Sequence, residues 1–517
     1  MNEKKIEVII HATNEEFCNQ LINSLEKVRV PENFCFEVQP IEGEEKYFAY
    51  DVAMRASDAK YKIYLDERAI VTDENFLYDM LRIFDADKRI GAIGTSGAAQ
   101  LSTYGVSLIS AKRATKNFYA EAEVVDGFFF ATQYDLPWRH DLFTDNFFGG
   151  QAQCVEFKRA GYKVFVGGNW IYYSGEKFTL NDVSRKKFLK EYSKDLFPLV
   201  SVIIPTFNRP KYFKVALDSA LNQTYRNIEV FISDNSTDDE TERLIQDYDD
   251  ARIKYFRNKN FDAHDNWNFA RDYNNPAAEY VNWLMDDDLF LPTKLEQMVE
   301  VYRNNPDVSL VTSKRNIINA EGTVTGEVRT PFNQTTKISG EEAGHILFSN
   351  LENYIGEPTT VLIRKKFLRN NDLCRHADER GFFNLVDMST WYQLLTQGNL
   401  YFIYEALSCY RAHEEIASGW VYTPPLVAIQ WAKLIKAAWD EKIFIKTEKD
   451  LRTSILGWFT FPALRGLKLP LMNDYHGKEV ETLEKYFVMM AQALSNGYKL
   501  ELPPVEYSEQ DAIKKMR

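Results

Sequence analysis

The sequence has few cysteines, no excess of basic residues and no long apolar run, and each absence excludes a class of protein. Five cysteines are scattered along 517 residues without close pairs, so neither a zinc ligand set nor a disulfide framework is predicted. Acidic residues outnumber basic ones by 75 to 62, which argues against a general nucleic-acid-binding protein, because such proteins need basic surface to neutralise phosphates. No apolar run reaches the roughly 18 residues of a transmembrane helix, and the N-terminus has the pattern of a strand rather than of a signal peptide. A cytoplasmic protein without a transmembrane segment is therefore expected.

The length of the chain points to more than one domain. Hydrophobic residues make up 45% of it and charged residues 26%, which is ordinary for a globular protein, and about 150 residues per domain predicts roughly three units. The clearest boundary lies near residue 198, where a charged helical stretch gives way to the β-branched run LVSVIIP. We predict a first domain at 1–180, a linker helix at 181–197, a second domain at 198–420 and a helical domain at 421–517.

Strand and helix patterns alternate after residue 198. The strand-like runs LVSVIIP, IEVFISD, IKYFRN and YVNWLM are separated by segments with helical spacing, such as YFKVALDSALNQT. This alternation predicts βαβ units and a mostly parallel sheet with helices on both faces. Ligands of such sheets bind outside the carboxyl ends of the strands.

The segment YVNWLMDDDLFLP runs an apolar strand into three consecutive aspartates, Asp286–Asp288. A solvated turn is the ordinary explanation of an acidic run, whereas a divalent cation would convert the mutual repulsion into shared coordination. Polar residues also follow the first two of these four strands, with Thr206 and Asn208 after the first and Asp234 after the second. Because the carboxyl ends of parallel strands meet at one edge of a sheet, this convergence favours a ligand site.

These motifs, in this order and at these intervals, resemble the family-2 glycosyltransferases with the GT-A fold over about residues 197–415. They comprise Pro-Thr-x-Asn at the first strand end, Gln-Thr-Tyr after the first helix, the Asp-Asn-Ser-Thr-Asp-Asp turn and the acidic cluster. The resemblance implies an inverting hexosyl transfer from a nucleoside diphosphate sugar, usually UDP-linked, to a hydroxyl of a glycan, lipid-linked glycan or glycoprotein. It also implies Mn²⁺ or Mg²⁺, which would neutralise the leaving diphosphate.

The same resemblance assigns residues to the donor site. It places on the nucleotide sugar Pro205, Thr206, Asn208, Arg209, Asp234, Asn235, Asn266, Asp286 and Asp287. Asp234 would accept a hydrogen bond from the imide N–H of uracil, since an ionised carboxylate only accepts. The metal would be held by Asp287, Asp288 and His413. The choice among the three aspartates stays open, because Met285 stands where the family usually has its first aspartate.

The acceptor side is indicated by two further segments. NYIGEPTT places Glu357 and Pro358 near the cleft by resemblance, and NLVDMSTWYQLLTQG resembles the family's acidic-x-x-x-Trp helix. The latter nominates Asp387 as the general base that takes the acceptor proton. The alternative is that Asp387 only caps the helix N-terminus, a role that aspartate often fills.

The first 180 residues repeat the same plan more loosely, and they resemble a divergent glycosyltransferase-like GT-A domain. Its candidate site residues are Asp66, Glu67 and Asp126, and the neighbouring Arg68 would compete with a metal there. We therefore favour a domain that binds acceptor or partner, or that packs structurally. A bifunctional transferase and a non-catalytic nucleotide-sugar-binding scaffold are the alternatives.

The pattern changes after about residue 420 to apolar residues at helical spacing. Helices there would pack on the catalytic domain or mediate self-association into a homo-oligomer. The predicted fold class is thus α/β, with two GT-A-like domains and a C-terminal helical segment. By resemblance the setting is bacterial polysaccharide biosynthesis or protein glycosylation, and a lipid-linked acceptor would be met at the inner membrane surface.

Overall fold

The computed structural model describes residues 1–43, 45–102, 119–144, 148–174, 181–368, 385–413 and 423–502. The chain divides into two compact units, Met1–Phe197 and Pro198–Arg517. The helix predicted at 181–197 packs within the first unit, and the C-terminal helices pack within the second.

A seven-stranded mixed sheet forms the first unit, in the order β2-β1-β3-β9-β5-β10-β7. Two small two-stranded sheets, β4 with β11 and β6 with β8, accompany it. The strands of the unit are β1 (Asn2–His11), β2 (Cys35–Ile41), β3 (Ala59–Asp66), β4 (Ala69–Val71), β5 (Ile90–Gly94), β6 (Gly97–Ala98), β7 (Ala120–Glu121), β8 (Val124–Val125), β9 (Phe129–Thr132), β10 (Lys163–Val166) and β11 (Ile171–Tyr173). The helices are α1 (Glu15–Leu25), α2 (Lys46–Ala56), α3 (Phe76–Ala86), α4 (Gly149–Arg159) and α5 (Asp182–Leu196).

Strand β1 lies in the interior of this sheet, and its second half is buried on both faces, with Ile6, Val8 and Ile10 on one of them and Ile9 between the polar Glu7 and His11 on the other. It pairs in parallel with β2 and β3, and residues 6–11 are all buried. The chain then turns into α1, whose N-cap Asn14 accepts a hydrogen bond from the backbone N–H of Phe17 at 3.1 Å. The carboxyl ends of β1 and β3 therefore lie side by side, with His11 in register with Asp66.

A ten-stranded mixed sheet forms the second unit, in the order β14-β13-β12-β15-β20-β17-β21-β16, with β18 on β17 and β19 on β21. The strands are β12 (Leu199–Thr206), β13 (Ile228–Asp234), β14 (Ile253–Arg257), β15 (Ala278–Trp283), β16 (Leu289–Phe290), β17 (Val308–Ile318), β18 (Val324–Glu327), β19 (Thr336–Ile338), β20 (Leu362–Arg364) and β21 (Asn399–Arg411). The helices are α6 (Pro210–Leu221), α7 (Glu240–Gln246), α8 (Ala263–Asp272), α9 (Lys294–Asn304), α10 (Gly340–Asn350), α11 (Val386–Leu395), α12 (Thr423–Asp440), α13 (Glu448–Trp458), α14 (Leu464–Met472) and α15 (Lys478–Ser495). A π-helical turn, Phe459–Ala463, joins α13 to α14.

The parallel strands of this unit end at one edge, as the alternating pattern predicts. Strand β12 pairs in parallel with β13 and β15, so that Thr206 lies opposite Asp234 and Ile203 lies opposite Trp283. The loops that follow these strands therefore meet. The predicted α/β class is confirmed: two mixed sheets that combine parallel and antiparallel strand pairs are followed by C-terminal helices.

The C-terminal helices share one hydrophobic core with the second sheet. A single cluster of buried side chains runs from Ile203 in β12 through Trp391 in α11 to Trp431 in α12 and Trp458 in α13. The indole Nε1 of Trp458 donates to the carbonyl oxygen of Ala428 at 2.7 Å. None of the helices in the ranges given above is long and apolar enough to cross a membrane.

Trp458→Ala is expected to lower the free energy of unfolding of the second unit by about 3–5 kcal/mol, the usual effect of truncating a buried tryptophan. Urea denaturation followed by circular dichroism measures it. Leu456→Ala is the matched control, because Leu456 lies two residues away and is 44% exposed. An unchanged midpoint for Trp458→Ala would show that α13 does not belong to this cooperative core.

Candidate active site

The loops after β12 and β15 are joined by the first of the three aspartates. Asp286 accepts a hydrogen bond from the Thr206 hydroxyl at 2.9 Å, and the guanidinium of Arg209 lies 3.4 Å from its other oxygen. The same guanidinium forms a 2.9 Å ion pair with Asp287. The structure thus brings together residues that the sequence separates by about eighty positions.

Asn208 ties the same loop to the one after β13. Its φ of 52° lies in the left-handed region, which asparagine tolerates better than most residues. Its side-chain oxygen accepts from the backbone N–H of Thr237 at 2.8 Å, and its own N–H donates to the Ser236 hydroxyl at 2.9 Å. Three strand ends are therefore fixed relative to one another without any ligand.

The three aspartates occupy three different environments, so the triplet is not a solvated turn. Burial and the neighbouring charge of Asp287 raise the pKa of Asp286 to about 6. Asp288 is 2% exposed, and the same two causes raise its pKa well above the ordinary value. Its oxygens accept from the Thr359 hydroxyl at 2.7 Å and from the N–H of Arg411 at 3.0 Å. Asp288 therefore anchors two later segments to the triplet.

Asp287 faces the imidazole of His413, with 3.0 Å between its Oδ2 and the Nε2 atom. The ring of Tyr212 packs against that imidazole, with 5.3 Å between the ring centroids. The guanidinium of Arg411 lies 4.7 Å from the centroid of the Tyr212 ring. Arg411 also donates to the main-chain oxygen of Asp287. The pair is thus held by the loop after β21 on one side and by α6 on the other.

This pair suits a hard divalent cation that is shared with a substrate. No group of three or more His, Cys, Asp or Glu side chains forms a metal cage within the part of the chain that the structure describes. Magnesium-type ions, however, are commonly held by one or two protein groups while substrate phosphates supply further oxygens. The carboxylate of Asp287 and the imidazole of His413 fit that arrangement.

Asp234 ends β13 opposite Thr206 and is fully buried. Its carboxylate accepts from the N–H of Ser236 at 2.8 Å and from the Tyr255 hydroxyl at 2.7 Å, and it pairs with Arg257 at 3.1 Å. Burial and the hydrogen bond to Asp234 raise the pKa of Tyr255, so its hydroxyl remains a donor.

Two other predicted donor residues lie beside the end of β13. Asn235 is 4% exposed and donates to the Phe261 carbonyl at 3.2 Å. Asn266 is 3% exposed, and its amide bridges the main-chain oxygen and the hydroxyl of Ser233 at 3.0 and 2.6 Å. Both side chains hold the strand ends in place.

Asp387 lies in the first turn of α11, two residues after the N-cap Leu385. It is therefore not the N-cap residue itself, although it accepts from one N–H of that turn. Its carboxylate accepts from the Asn353 amide at 2.7 Å and from the N–H of Met388 at 2.7 Å. Burial raises the pKa of Asp387 to about 7; the Met388 N–H opposes that rise and the negative charge of Glu357 adds to it. A carboxyl group that titrates near neutrality is suited to proton transfer.

The segment 353–360 connects the triplet to Asp387. Glu357 pairs with Arg315 of β17 at 2.7 Å and is 28% exposed at its side chain. Trp391 of α11 donates to the Gly356 carbonyl at 3.0 Å, and the Pro358 carbonyl accepts from Asn282 at 2.9 Å. The segment that carries both predicted acceptor-side residues therefore joins Asp387 to the aspartates.

Sequence reasoning missed four residues of this cleft: Tyr212, Arg315, Asn353 and Thr359. Asn353 and Thr359 belong to the NYIGEPTT segment, which the sequence analysis had already placed on the acceptor side. Their position in that segment could have identified them as site residues. Arg315 lies within a strand and Tyr212 within a helix, and neither has a pattern that marks it before the fold is known.

Each candidate residue of the first unit is engaged by a different neighbouring residue. Asp66 pairs with the buried ammonium of Lys46 at 2.9 Å; burial opposes ionisation, yet that ammonium keeps the pKa of Asp66 below its usual value. Glu67 accepts from the N–H and hydroxyl of Thr13. Asp126 accepts from Ser96 at 2.6 Å, and burial raises its pKa.

Lys46 is the cation that pairs directly with Asp66, and Arg68 adds a weaker contribution. The guanidinium of Arg68 lies over the ring of Phe17 at 5.8 Å, its backbone N–H donates to Asp66, and its charge helps to keep the pKa of Asp66 low. Lys46 begins α2, twenty residues before Asp66, so the strand-end pattern alone did not reveal it.

Comparison with known proteins yields two family matches. Residues 7–192 match a family described as "Glycosyltransferase like family", and residues 201–371 match "Glycosyl transferase family 2". An uncharacterized glycosyltransferase of Rickettsia typhi is 31% identical over 219 residues, which is 42% of this chain and 65% of that protein. The GalNAc(5)-diNAcBac-PP-undecaprenol beta-1,3-glucosyltransferase of Campylobacter jejuni is 36% identical over 105 residues, 20% of this chain and 34% of that protein.

The chain thus spans less than two thirds of the length of these curated relatives. Among solved structures, S. aureus TarS 1–349 in complex with UDP-GlcNAc aligns with 60% of this chain and 97% of its own, with 13% identity and a TM-score of 0.36.

Proposed function

We propose that this chain, a glycosyltransferase that joins a glycosyltransferase-like N-terminal domain to a family 2 domain, is a metal-dependent inverting enzyme acting through its second unit. The donor is a nucleoside diphosphate sugar, UDP-linked, and the acceptor is a hydroxyl of a glycan. One observation carries this proposal. The segment 353–360 joins the Asp287–His413 pair to the near-neutral carboxyl of Asp387: Thr359 donates to Asp288, next to that pair, and Asn353 donates to Asp387.

Asp287 and His413 would hold the Mn²⁺ or Mg²⁺ ion. When bound, the ion would supply positive charge to the departing diphosphate. We assign the carboxylate ligand to Asp287 rather than Asp288, because both oxygens of Asp288 already accept internal hydrogen bonds. Arg209, 29% exposed at its side chain, adds a cation suited to phosphate oxygens.

Asp387 acts as the general base on the acceptor hydroxyl. The acceptor O–H bond breaks and its proton passes to the Asp387 carboxylate, while the oxygen forms a bond to the anomeric carbon. The bond from that carbon to the diphosphate oxygen breaks, and its electron pair leaves with the diphosphate. A single displacement of this kind inverts the anomeric configuration. Asn353 keeps the carboxylate oriented through its 2.7 Å hydrogen bond.

Uracil recognition is assigned to Asp234. A carboxylate offers about four lone-pair positions, and Ser236, Tyr255 and Arg257 use three of them. One position therefore remains for the imide N–H of the base. Because the carboxylate is fully buried, the base reaches it only if a neighbouring side chain such as Tyr255 moves aside.

A donor screen with the purified full chain tests the proposal. Melting temperature and nucleoside diphosphate release are measured with Mn²⁺ and a panel of UDP-, GDP- and CDP-sugars, since a ligand that binds only the folded state raises its stability. A UDP-sugar is expected to raise the melting temperature and to be consumed in the presence of Mn²⁺. Absence of both effects across the panel would contradict the function.

The pH dependence of kcat/KM is a separate prediction. Asp387 must be ionised to accept a proton, and its pKa is about 7. The rate is therefore expected to fall about tenfold per pH unit below pH 7 and to level off above it, since kcat/KM follows the pKa of the free enzyme's base. A rate that stays constant from pH 5 to pH 8 would exclude Asp387 as the base.

The first unit is expected not to contribute a second transfer reaction. The double substitution Lys46→Met with Asp66→Asn removes both charges of the buried pair together, which avoids leaving one charge unpaired. Transfer rates with every active donor are expected to stay within about twofold of the parent chain. Selective loss of activity toward one donor would instead favour a bifunctional enzyme.

A further inference from the structure

Five apolar side chains near the end of the second unit face solvent. They are Leu456 (44% exposed), Phe461 (54%), Leu464 (57%), Leu471 (68%) and Met472 (71%). All five lie in a span of 17 residues, 456–472, that covers the end of α13, the π-helical turn and α14. Burying large apolar groups is favourable, so such a concentration of exposed ones indicates an interaction surface.

These side chains lie on one face. The exposed positions recur every three to five residues from 452 to 472, whereas the residues between them include the buried Trp458, Pro462, Gly466 and Pro470. The π-helical turn inserts one extra residue, which shifts the exposed positions of α14 by one relative to those of α13. The insertion therefore keeps a single surface stripe continuous over both helices.

The charge of this stripe is opposite to that of the chain. Residues 451–473 contain Arg452, Arg465 and Lys468 but no aspartate or glutamate, whereas the whole chain carries a net charge of −13. All three cations are exposed, and none pairs with a carboxylate among the residues that the structure describes. We use the name basic apolar stripe for Arg452, Leu456, Phe461, Leu464, Arg465, Lys468, Leu471 and Met472.

We propose that the basic apolar stripe docks on the surface of an anionic phospholipid bilayer. An interfacial helix places its apolar side chains at the boundary of headgroups and acyl chains, and its cations against lipid phosphates. The stripe supplies both kinds of side chain. A second copy of the chain is a poorer occupant, because a two-fold contact through this face would set like charges against each other.

The stripe is connected to the acceptor side of the cleft by direct contacts. Trp458 of α13 donates to the Ala428 carbonyl in α12 at 2.7 Å. Two residues further along α12, the Gln430 side-chain oxygen accepts from the N–H of Leu385 at 2.9 Å, and Leu385 lies two residues before Asp387. Docking through the stripe would therefore hold the base close to a membrane, which suits a lipid-linked acceptor. This part of the inference rests on the proposed function.

Vesicle flotation with the full chain tests the docking. Vesicles of phosphatidylcholine alone are compared with vesicles that also contain phosphatidylglycerol, at low and high salt. The chain is expected to float with the anionic vesicles at low salt, and to do so at least tenfold less in high salt or with the neutral vesicles, because salt screens exposed charges. Equal binding to both vesicle types, or to neither, would overturn the proposal.

Two stripe variants with matched controls locate the contact. Arg465→Glu with Lys468→Glu is expected to reduce flotation at least tenfold, whereas Lys187→Glu with Lys190→Glu, the same charge change on α5 of the first unit, is expected to leave it unchanged. Flotation that falls equally in both double variants would show that net charge alone is responsible.

A second variant and its control test the contribution of the apolar side chains to vesicle binding. Phe461→Ser with Leu464→Ser is expected to lower flotation about tenfold, and Val324→Ser, which is 55% exposed on β18, is not. Light scattering measures the oligomeric state of the parent chain and of the stripe variants in parallel. If the parent chain were a dimer that did not bind vesicles, and the stripe variants were monomers, the stripe would be a self-association surface and the proposal would be overturned. Nucleoside diphosphate release without vesicles should be equal in parent and stripe variants, so failure of the enzyme and failure of docking are distinguished.

Discussion

Asp387→Asn is expected to lower kcat for sugar transfer about 10³-fold, within the range of 10² to 10⁴ that a positioned general base contributes. Asparagine keeps the shape of the side chain and an oxygen that can accept from Asn353, but it cannot take a proton from the acceptor hydroxyl. The KM for the donor should change little, because Asp387 lies on the acceptor side. Single-turnover and steady-state assays with the full chain measure both parameters.

Two observations separate a lost base from a disturbed fold. The melting temperature of Asp387→Asn should fall only slightly. The amide loses the hydrogen bond from the Met388 N–H, but it also removes a carboxyl that burial disfavours in its charged form. The fall in kcat/KM below pH 7 should also disappear from whatever activity remains. Asp307→Asn, at a carboxylate on the surface, serves as the control for a change of charge. If Asp387→Asn kept more than a tenth of the parent rate, another group would be the base.

Asp287→Asn is expected to reduce kcat/KM about 10³-fold, which corresponds to roughly 4 kcal/mol of lost transition-state stabilisation. The amide keeps the side-chain volume but not the negative charge that a hard cation requires. The stabilisation of the chain by Mn²⁺ together with UDP should be lost as well. Isothermal titration of Mn²⁺ in the presence of UDP measures the binding directly.

His413→Asn tests the other half of the pair. We expect a weaker effect than at Asp287, with the Mn²⁺ concentration for half-maximal activity raised about 10- to 100-fold, because the imidazole is the neutral partner in the assignment. Saturating Mn²⁺ should then restore much of the rate. If Mn²⁺ restored Asp287→Asn equally well, the carboxylate would not be a ligand and Asp288 would have to be reconsidered.

The placement of the cleft could be predicted because its chemistry lies at strand ends. Thr206 and Asp234 follow parallel neighbouring strands, and a parallel sheet brings such ends together whatever the details of packing. The different environments of the three aspartates could not be predicted. They depend on Thr359 and Arg411, which lie 71 and 123 positions from Asp288 and reach it only through the fold of the second sheet.

The burial of the site carboxylates also could not be predicted from the sequence. Asp234 has the same local pattern whether its carboxylate faces a ligand or three protein donors, and only the neighbouring strand β14 supplies Tyr255 and Arg257. The pKa of Asp387 likewise arises from its surroundings rather than from the helix on which it lies. Residue type and spacing indicate what a site can contain, whereas charge state depends on contacts distant in sequence.

The hydrophobic cluster that runs from Ile203 to Trp458 makes the second unit indivisible. The family match ends at residue 371, before the helix that carries Asp387, and a chain trimmed near residue 420 would expose the side of Trp391 and Tyr392 that α12 and its neighbours cover. Proteolysis or gene rearrangement that removes the last hundred residues should therefore leave an aggregating remnant and not a smaller enzyme. Exchanging these helices between relatives would succeed only if the surface of the second unit that they cover were exchanged with them.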